Sequence, residues 1–146
     1  MVAMDGTRIE MLIGGQLNLA HRYARAATNR ALRVHELDLR HLGVLSTLAE
    51  EGPLPQRTLV DRLQMDKSSM VYVIDELERQ GLADRRRSDE DRRSYAVHIT
   101  EDGRARLAAA TATATATMAE LLAPFSSAER TRLHDLLARF ISNAAG

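Results

Sequence analysis

The sequence predicts a mainly α-helical chain with one small β-hairpin. Apolar residues recur at helical spacing through most of its 146 positions. Stop signals, among them Gly52, Gly81 and Pro124, divide these stretches into separate helices. One segment differs, because Tyr95, Val97 and Ile99 alternate with other residues and would share one face of a strand.

The composition is that of an ordinary globular chain, with 45% hydrophobic and 27% charged residues. The absence of cysteine excludes disulfides, thiolate zinc sites and cysteine-based redox sensing within the chain. No stretch approaches the roughly 20 apolar residues that a membrane span needs, and Met1–Glu10 lacks a signal-peptide pattern. We therefore expect one cytoplasmic domain over residues 1–146, without membrane contact.

Two helices are predicted at the start of the chain. The first runs from Thr7 to about His35, and Gly14-Gly15 interrupts its apolar stripe, which should weaken or bend it. Asp38 suits the N-cap of the second, Leu39 to Glu50, and Gly52 follows its end.

A rigid connector, Pro53-Leu54-Pro55, leads into a short helix, Gln56 to Leu63. Asp66 can cap the next helix, Lys67 to Gln80, and Gly81 ends it. The residues expected to face inward on the second, third and fourth helices are Leu42, Leu45, Leu48, Ala49, Leu59, Val60, Leu63, Met70, Val73 or Ile74, and Leu77.

The hairpin is predicted from strands Leu82–Arg87 and Arg93–Ile99. Its central segment, Arg85–Tyr95, holds five arginines and three acids, a local charge of +2. Taken alone, such a segment is a solvated charged loop or a thin tip that enters a narrow, negative groove of DNA.

Two more helices complete the chain. Thr100 can cap one that reaches about Leu122 and ends before Pro124. Its Ala/Thr alternation also fits a strand, but the Ala content and the apolar spacing favour a helix. Ser126 and Glu129 form a capping-box pattern before a strongly amphipathic last helix. The apolar stripe of that last helix comprises Leu133, Leu136, Leu137, Phe140 and Ile141.

This order of elements is a winged helix-turn-helix, with the hairpin as the wing. The chain resembles the MarR (multiple antibiotic resistance regulator) family of bacterial transcription factors over about Leu39–Leu107. The matching positions are Leu45-x-x-Leu48, Gly52-x-Leu54, Leu59–Leu63, Asp66–Ser69, Ile74–Leu82, Arg85-Arg86, Asp91–Ser94 and Ile99-Thr100-x-x-Gly103.

The resemblance implies that the helix beginning at Lys67 enters the major groove of double-stranded DNA. Lys67 would contact a phosphate, and Ser68 and Ser69 would allow close approach, although capping and solvation are ordinary roles for both serines. The formal net charge of +0 argues mildly against nucleic-acid binding, so we expect weak non-specific affinity.

By the same resemblance, the wing contacts the minor groove. Arg93 would reach into the groove, and Asp91 would orient its guanidinium. Arg92 and Arg87 would contact phosphates or remain solvated.

Two departures from the family pattern concern the DNA-binding elements. Tyr72 stands where a basic residue is common, beside Val71 where a small hydroxyl is common, and it either faces DNA or lies at the edge of the core. Pro55 stands where a Ser or Thr cap is common, which brings Gln56 and Arg57 forward as DNA contacts.

A homodimer is expected, because a single recognition helix and wing bury too little surface to be selective. Helices at about residues 7–35 and 101–143 would form the dimer, and residues 39–100 the DNA-binding lobe, on a pseudo-palindromic operator. Alternatively, the apolar stripes of the terminal helices pack against each other within one subunit.

The resemblance also implies a small aromatic or anionic effector, bound between the dimer helices and the DNA-binding lobe. His21, Arg25 and His41 are the candidate contacts, with Tyr23 and His35 on the same segments. A lone histidine on a helix is more often a surface or core-edge residue than a ligand contact.

The sequence gives little support for an enzyme. It contains no phosphate-binding glycine loop and no spacing of a nucleophile and a base that stands out. Its five histidines lack tight metal-ligand spacing. We therefore expect no cofactor or metal. The function predicted is a sequence-specific DNA-binding regulator, a repressor released by its effector. The alternative is a winged-helix dimer that binds a protein or ligand without specific DNA contacts.

Overall fold

The computed structural model of the chain describes residues 6–88 and 93–146. Within the described residues the chain forms six helices and a three-stranded antiparallel sheet, and a 3₁₀ turn at Arg33–His35 follows the first helix. The elements are α1 (Gly6–Leu32), α2 (Leu39–Glu51), β1 (Leu54–Pro55), α3 (Gln56–Leu63), α4 (Lys67–Arg79), β2 (Ala83–Arg87), β3 (Tyr95–Ile99), α5 (Glu101–Leu121) and α6 (Ser127–Ala145).

The predicted fold class, mainly α with a small β-hairpin wing, is confirmed. The predicted helix boundaries agree to within a few residues, because the predicted caps are formed: the side chains of Asp38, Asp66, Thr100 and Ser126 each accept a backbone N–H. Gly81 ends the α4 segment with a φ of 73°, a conformation that favours glycine.

One local prediction was wrong. The connector before α3 contains a strand, since Leu54 pairs with Val97 and Pro55 with Ala96 at the edge of the sheet. Proline is tolerated there because an edge strand leaves N–H positions unpaired. α1 continues as one helix through Gly14-Gly15, where the sequence predicts a weaker or bent stretch.

The core lies inside the lobe formed by residues 39–100 and extends to α1 and α5. Its fully buried side chains come from one face each of α2, α3 and α4 and from the base of the wing, where Leu82 and Val97 are enclosed. Val73 and Ile74 are both buried, although only one was expected. The buried members on the helices of the lobe are Val44, Leu45, Leu48, Leu59, Met70, Val73, Ile74 and Leu77.

The base of the wing is joined closely to the start of α5. The Thr100 hydroxyl donates to the Gly81 carbonyl at 2.7 Å, and the Thr100 N–H donates to the Leu82 carbonyl at 3.0 Å. A Cβ added to Gly103 would lie 2.0 Å from the same Leu82 oxygen. Glycine is therefore required at position 103 for α5 to pack against the wing.

The terminal helices expose apolar side chains. None of the residues of α6, all of which the structure describes, is buried, and Phe140 is 53% exposed. α1 exposes Ile9, Met11, Leu12, Ile13 and Leu19 in the same way. The apolar stripes of α1 and α6 are thus not covered within one chain. No helix in the described part of the chain is long and apolar enough to cross a membrane.

Candidate DNA-binding surface

The N-terminus of α4 is held by its cap. Asp66 accepts hydrogen bonds from the Ser69 N–H at 2.7 Å and from the Ser69 hydroxyl at 2.8 Å. These bonds, the backbone one first, lower the pKa of Asp66 below its ordinary value. The Ser69 side chain is therefore engaged in capping, whereas Ser68 is exposed on the first turn.

The outer face of α4 is the side opposite the core. Because Met70, Val73, Ile74 and Leu77 point inward, the helical period turns a second set outward. The exposed residues are Lys67, Ser68, Val71, Tyr72, Asp75 and Arg79.

Tyr72 stands 54% exposed on this outer face and is held from one side. The Arg40 guanidinium, from α2, lies 5.7 Å from the centre of its ring, within the range of a cation–π contact. Arg40 in turn donates to Asp38 at 2.8 Å. Burial raises the pKa of Asp38, but the hydrogen bonds that its carboxylate accepts from the Arg40 guanidinium and from the Arg40 backbone N–H outweigh this effect and hold the pKa far below the ordinary value. Of the two positions expected for Tyr72, the structure gives the solvent-exposed one.

Arg85 links three elements, a role that the sequence analysis missed. From β2, its guanidinium contacts Asp75 at 2.8 Å and Glu78, both on α4. It also donates to the Gln56 side-chain oxygen at the start of α3, at 3.3 and 3.4 Å. The wing, α3 and α4 are thereby tied together at one point. The i, i+3 spacing of Asp75 and Glu78 predicts an acidic pair on one helix face. The sequence does not indicate which of the five arginines in the hairpin binds this pair.

The remaining predicted contacts lie at the edges of this surface. Arg57 is exposed at the start of α3, and Arg87 is exposed at the end of β2, opposite Tyr95. Arg93 is exposed just before β3. Asp91 and Arg92, predicted to orient Arg93 and to contact phosphate, lie outside the described residues.

Two residues of the predicted effector site share a cavity of about 530 Å³. His21 and Arg25 from α1 line it together with Gln64, Asp66 and Ser69. The cavity thus lies between α1 and the capped start of α4. Among the described residues, no group of three or more His, Asp or Glu side chains could hold a metal ion.

His41, the third predicted effector contact, lies elsewhere. Its side chain is buried and completes a capping box at the start of α2, in which its Nδ1 accepts the Asp38 N–H at 3.0 Å. His35, on a neighbouring segment, bonds to the Thr113 hydroxyl at 2.8 Å, and Tyr23 is exposed. The structure therefore brings His21 and Arg25 together and separates His41 from them.

Known proteins with similar sequences are regulators of transcription. A family model described as MarR family matches residues 35–94. The uncharacterized HTH-type transcriptional regulator YdgJ of Bacillus subtilis (strain 168) is 32% identical over 102 residues, which cover 70% of this chain and 62% of that protein.

Two solved structures are similar over the chain as a whole. A probable transcriptional regulator from Pseudomonas aeruginosa is 32% identical, with a TM-score of 0.78 over 91% of this chain and 99% of that one. The PcaV transcriptional regulator from Streptomyces coelicolor, solved in complex with its natural ligand, is 26% identical, with a TM-score of 0.68 and 100% of both chains covered. The helix-turn-helix, its wing and these relatives together show that the chain belongs to the MarR family of DNA-binding transcriptional regulators.

Proposed function

We propose that this regulator is a homodimeric repressor that binds a pseudo-palindromic operator and is released by a small aromatic or anionic effector. The observation that carries the proposal is the outer face of α4, where Lys67, Ser68 and Tyr72 are exposed beside the wing. A recognition helix contacts bases with its N-terminal residues. A firmly capped N-terminus with a small exposed hydroxyl suits such close approach.

The proposed roles divide into contact and positioning. Lys67 and Arg57 contact phosphates, and Ser68 and Tyr72 approach base edges. Ser69 and Gln56 act partly through their partners, because the first is bonded to Asp66 and the second to Arg85. In the wing, Arg93 enters the minor groove, oriented by Asp91, and Arg87 and Arg92 contact phosphates.

The dimer is supported by the apolar stripes of α1 and α6, which one chain leaves exposed. Large exposed apolar patches mark interaction sites, and a twofold dimer presents the same surface from both subunits. Two α4 helices would then meet two half-sites about one helical turn apart.

The effector is supported by the cavity at His21 and Arg25. A molecule bound there would contact Asp66 and Ser69, which form the cap of α4. A ligand shifts an equilibrium only by its differential affinity for the two states, here the DNA-bound and DNA-free arrangements of α4. Contact with the cap would let the effector bind the DNA-free arrangement more tightly and so weaken DNA binding. The PcaV complex is a case of a similar protein that holds a natural ligand.

A titration of DNA from upstream of the coding sequence tests the proposal. We expect a labelled duplex to bind with an affinity that falls steeply as salt rises, because phosphate contacts release counterions. Arg93→Ala should weaken binding by about tenfold or more, whereas Arg132→Ala, a control at an exposed residue of α6 outside its apolar stripe, should not. If no upstream segment binds in a salt-dependent way, the alternative of a module without specific DNA contacts is favoured.

A second titration tests the effector with benzoate as the probe. Benzoate should weaken DNA binding by the wild type, and Arg25→Ala should remove that effect without changing the affinity for DNA. Equal responses of the two proteins would contradict the proposed site.

A further inference from the structure

Three segments that are distant in the sequence meet at the C-terminal end of α4. They are the turn that follows α1, the residue that caps α4 and the second turn of α5. This helix junction comprises His35, Glu36, Gln80 and Arg106. The Gln80 and Arg106 side chains are half-buried there, so water competes less for their hydrogen bonds than it does on an open surface.

One nitrogen of the Arg106 guanidinium connects α5 to both of the other segments. Nη1 donates to the His35 carbonyl oxygen at 2.6 Å and to the Gln80 side-chain oxygen at 3.0 Å. The Gln80 side-chain nitrogen donates in turn to the Glu36 carbonyl oxygen at 3.0 Å. Of the two carbonyls that follow α1, one is therefore held by α5 and the other by the end of α4. A charged donor makes stronger hydrogen bonds than a neutral one.

The backbone between α1 and α2 is held in an unusual conformation at this junction. Glu36 has a φ of 57°, in the left-handed region that residues other than glycine seldom adopt. Its N–H donates to the Arg33 carbonyl at 2.9 Å, and the His35 ring bonds to the Thr113 hydroxyl of α5 at 2.8 Å. The end of α1 is thus fixed to α5 through the ring and the carbonyl of the same histidine.

The helix junction lies where it can control the direction of α4. The C-terminal end of α4 is held here, whereas its N-terminal end carries Lys67 and Ser68 on the proposed DNA-binding surface. A helix of 13 residues is about 20 Å long. A tilt of about 10° at the junction would therefore move the N-terminal end by about 3 Å, close to the rise of one base pair.

We propose that Arg106 and Gln80 are positioning residues that set the separation of the two α4 helices, and with it the half-site spacing that the regulator accepts. They act through the end of α1 and do not contact DNA. Without their hydrogen bonds α4 keeps its fold and its own DNA contacts, but its tilt varies. The effect on spacing rests on the proposed dimer and operator, whereas the tilt of α4 within one chain does not.

A distance measurement without DNA tests the tilt. The chain has no cysteine, so Ser68→Cys on α4 and Ser127→Cys on α6 place spin labels at two exposed positions only. Labelled chains in an excess of unlabelled protein give the distance within one chain by double electron–electron resonance. We expect a narrow distribution that broadens by about 3 Å or more when Arg106→Ala or Gln80→Ala is added. Arg104→Ala, at an exposed position of the same helix, should leave it narrow.

Operators that differ in half-site spacing test the consequence. The half-sites are moved by one base pair in either direction, and affinity is measured by fluorescence anisotropy. The unaltered protein should lose about tenfold on each shifted operator, and Arg106→Ala about threefold or less. Arg106→Lys keeps a charged donor and should recover part of the discrimination, whereas Arg104→Ala should discriminate like the wild type. All variants are compared at a temperature at which circular dichroism shows them folded.

Two results would overturn the proposal. One is a label distribution in Arg106→Ala as narrow as in the wild type. The other is an Arg106→Ala protein that loses the same affinity at every spacing, because a residue that only stabilises the fold would act in that way. If no operator binds, the proposed function fails, and the label distances still decide whether Arg106 and Gln80 fix the tilt of α4.

Discussion

Gly103→Ala should destabilise the protein strongly, although the substitution adds only one methyl group. Gly103 lies on the first turn of α5, at the point where this helix meets the base of the wing. The added Cβ would be 2.0 Å from the Leu82 oxygen and 2.8 Å from Ile99 Cγ1. Real Cβ contacts below 3.0 Å essentially never occur, so the backbone of the wing or of α5 must move by about 1 Å.

The expected loss has two parts. Overpacking of this kind costs about 1–3 kcal/mol. The Leu82 oxygen also accepts the Thr100 N–H at 3.0 Å, and displacing that carbonyl weakens a hydrogen bond worth about 1 kcal/mol. We therefore expect the free energy of unfolding to fall by about 2–4 kcal/mol.

Gly43→Ala is the matched control in the interior of α2. Its Cβ would meet only Leu63 Cδ2 at 3.5 Å and Cδ1 at 3.8 Å, ordinary contacts. Alanine is favoured over glycine in a helix by about 1 kcal/mol, so this variant should be slightly more stable than the wild type. Urea unfolding followed by circular dichroism at one protein concentration measures both. A Gly103→Ala protein as stable as Gly43→Ala would refute the proposed close approach of α5 and the wing.

Three further predictions concern charge and assembly. The free energy of unfolding should decrease as pH falls below about 4. The pKa of Asp38 is lower in the folded protein than in the unfolded chain, so the stabilisation is complete above the unfolded pKa and is lost as Asp38 becomes protonated. Asp38→Asn should flatten this dependence in acid unfolding curves. Arg85→Ala should lower the free energy of unfolding by about 1–3 kcal/mol, since Asp75, Glu78 and Gln56 lose their shared donor. An unchanged midpoint in a urea titration would contradict this prediction. Phe140→Asp should give a monomer in sedimentation equilibrium, whereas Phe140→Leu should remain a dimer; a dimeric Phe140→Asp would argue that α6 is not in the interface.

The helices were predictable because their boundaries carry local signals. Asp38, Asp66, Thr100 and Ser126 each cap a helix in the structure, and their side chains act on backbone groups only two or three residues away. The two-residue strand β1 was not predictable in this way. It is too short to have a period, and it exists because β3 provides partners from about 40 residues further along the chain.

The candidate site was predictable only as a set of residue types. The segment Arg85–Arg93 holds five arginines, and the sequence alone does not distinguish their roles. The fold separates them, since Arg85 faces α4, Arg86 pairs with Asp84 at 2.7 Å, and Arg87 is exposed. In the sequence, His41 resembles His21 as an effector contact because both fall on segments near the predicted dimer helices. Its position three residues after Asp38 is that of the fourth residue in a capping box, a place usually taken by Glu or Gln, so the pattern was overlooked.

A pair of serine variants tests the central claim, that the outer face of α4 contacts DNA. Ser68 and Ser127 are both exposed on the first turn of a helix, where aspartate is favourable to the helix dipole. Ser68→Asp should therefore fold and dimerise normally but lose about hundredfold in operator affinity, because it brings a carboxylate against phosphates and base edges. Ser127→Asp should bind the operator like the wild type. If Ser68→Asp also binds like the wild type in a fluorescence anisotropy titration, α4 is not the surface that contacts DNA.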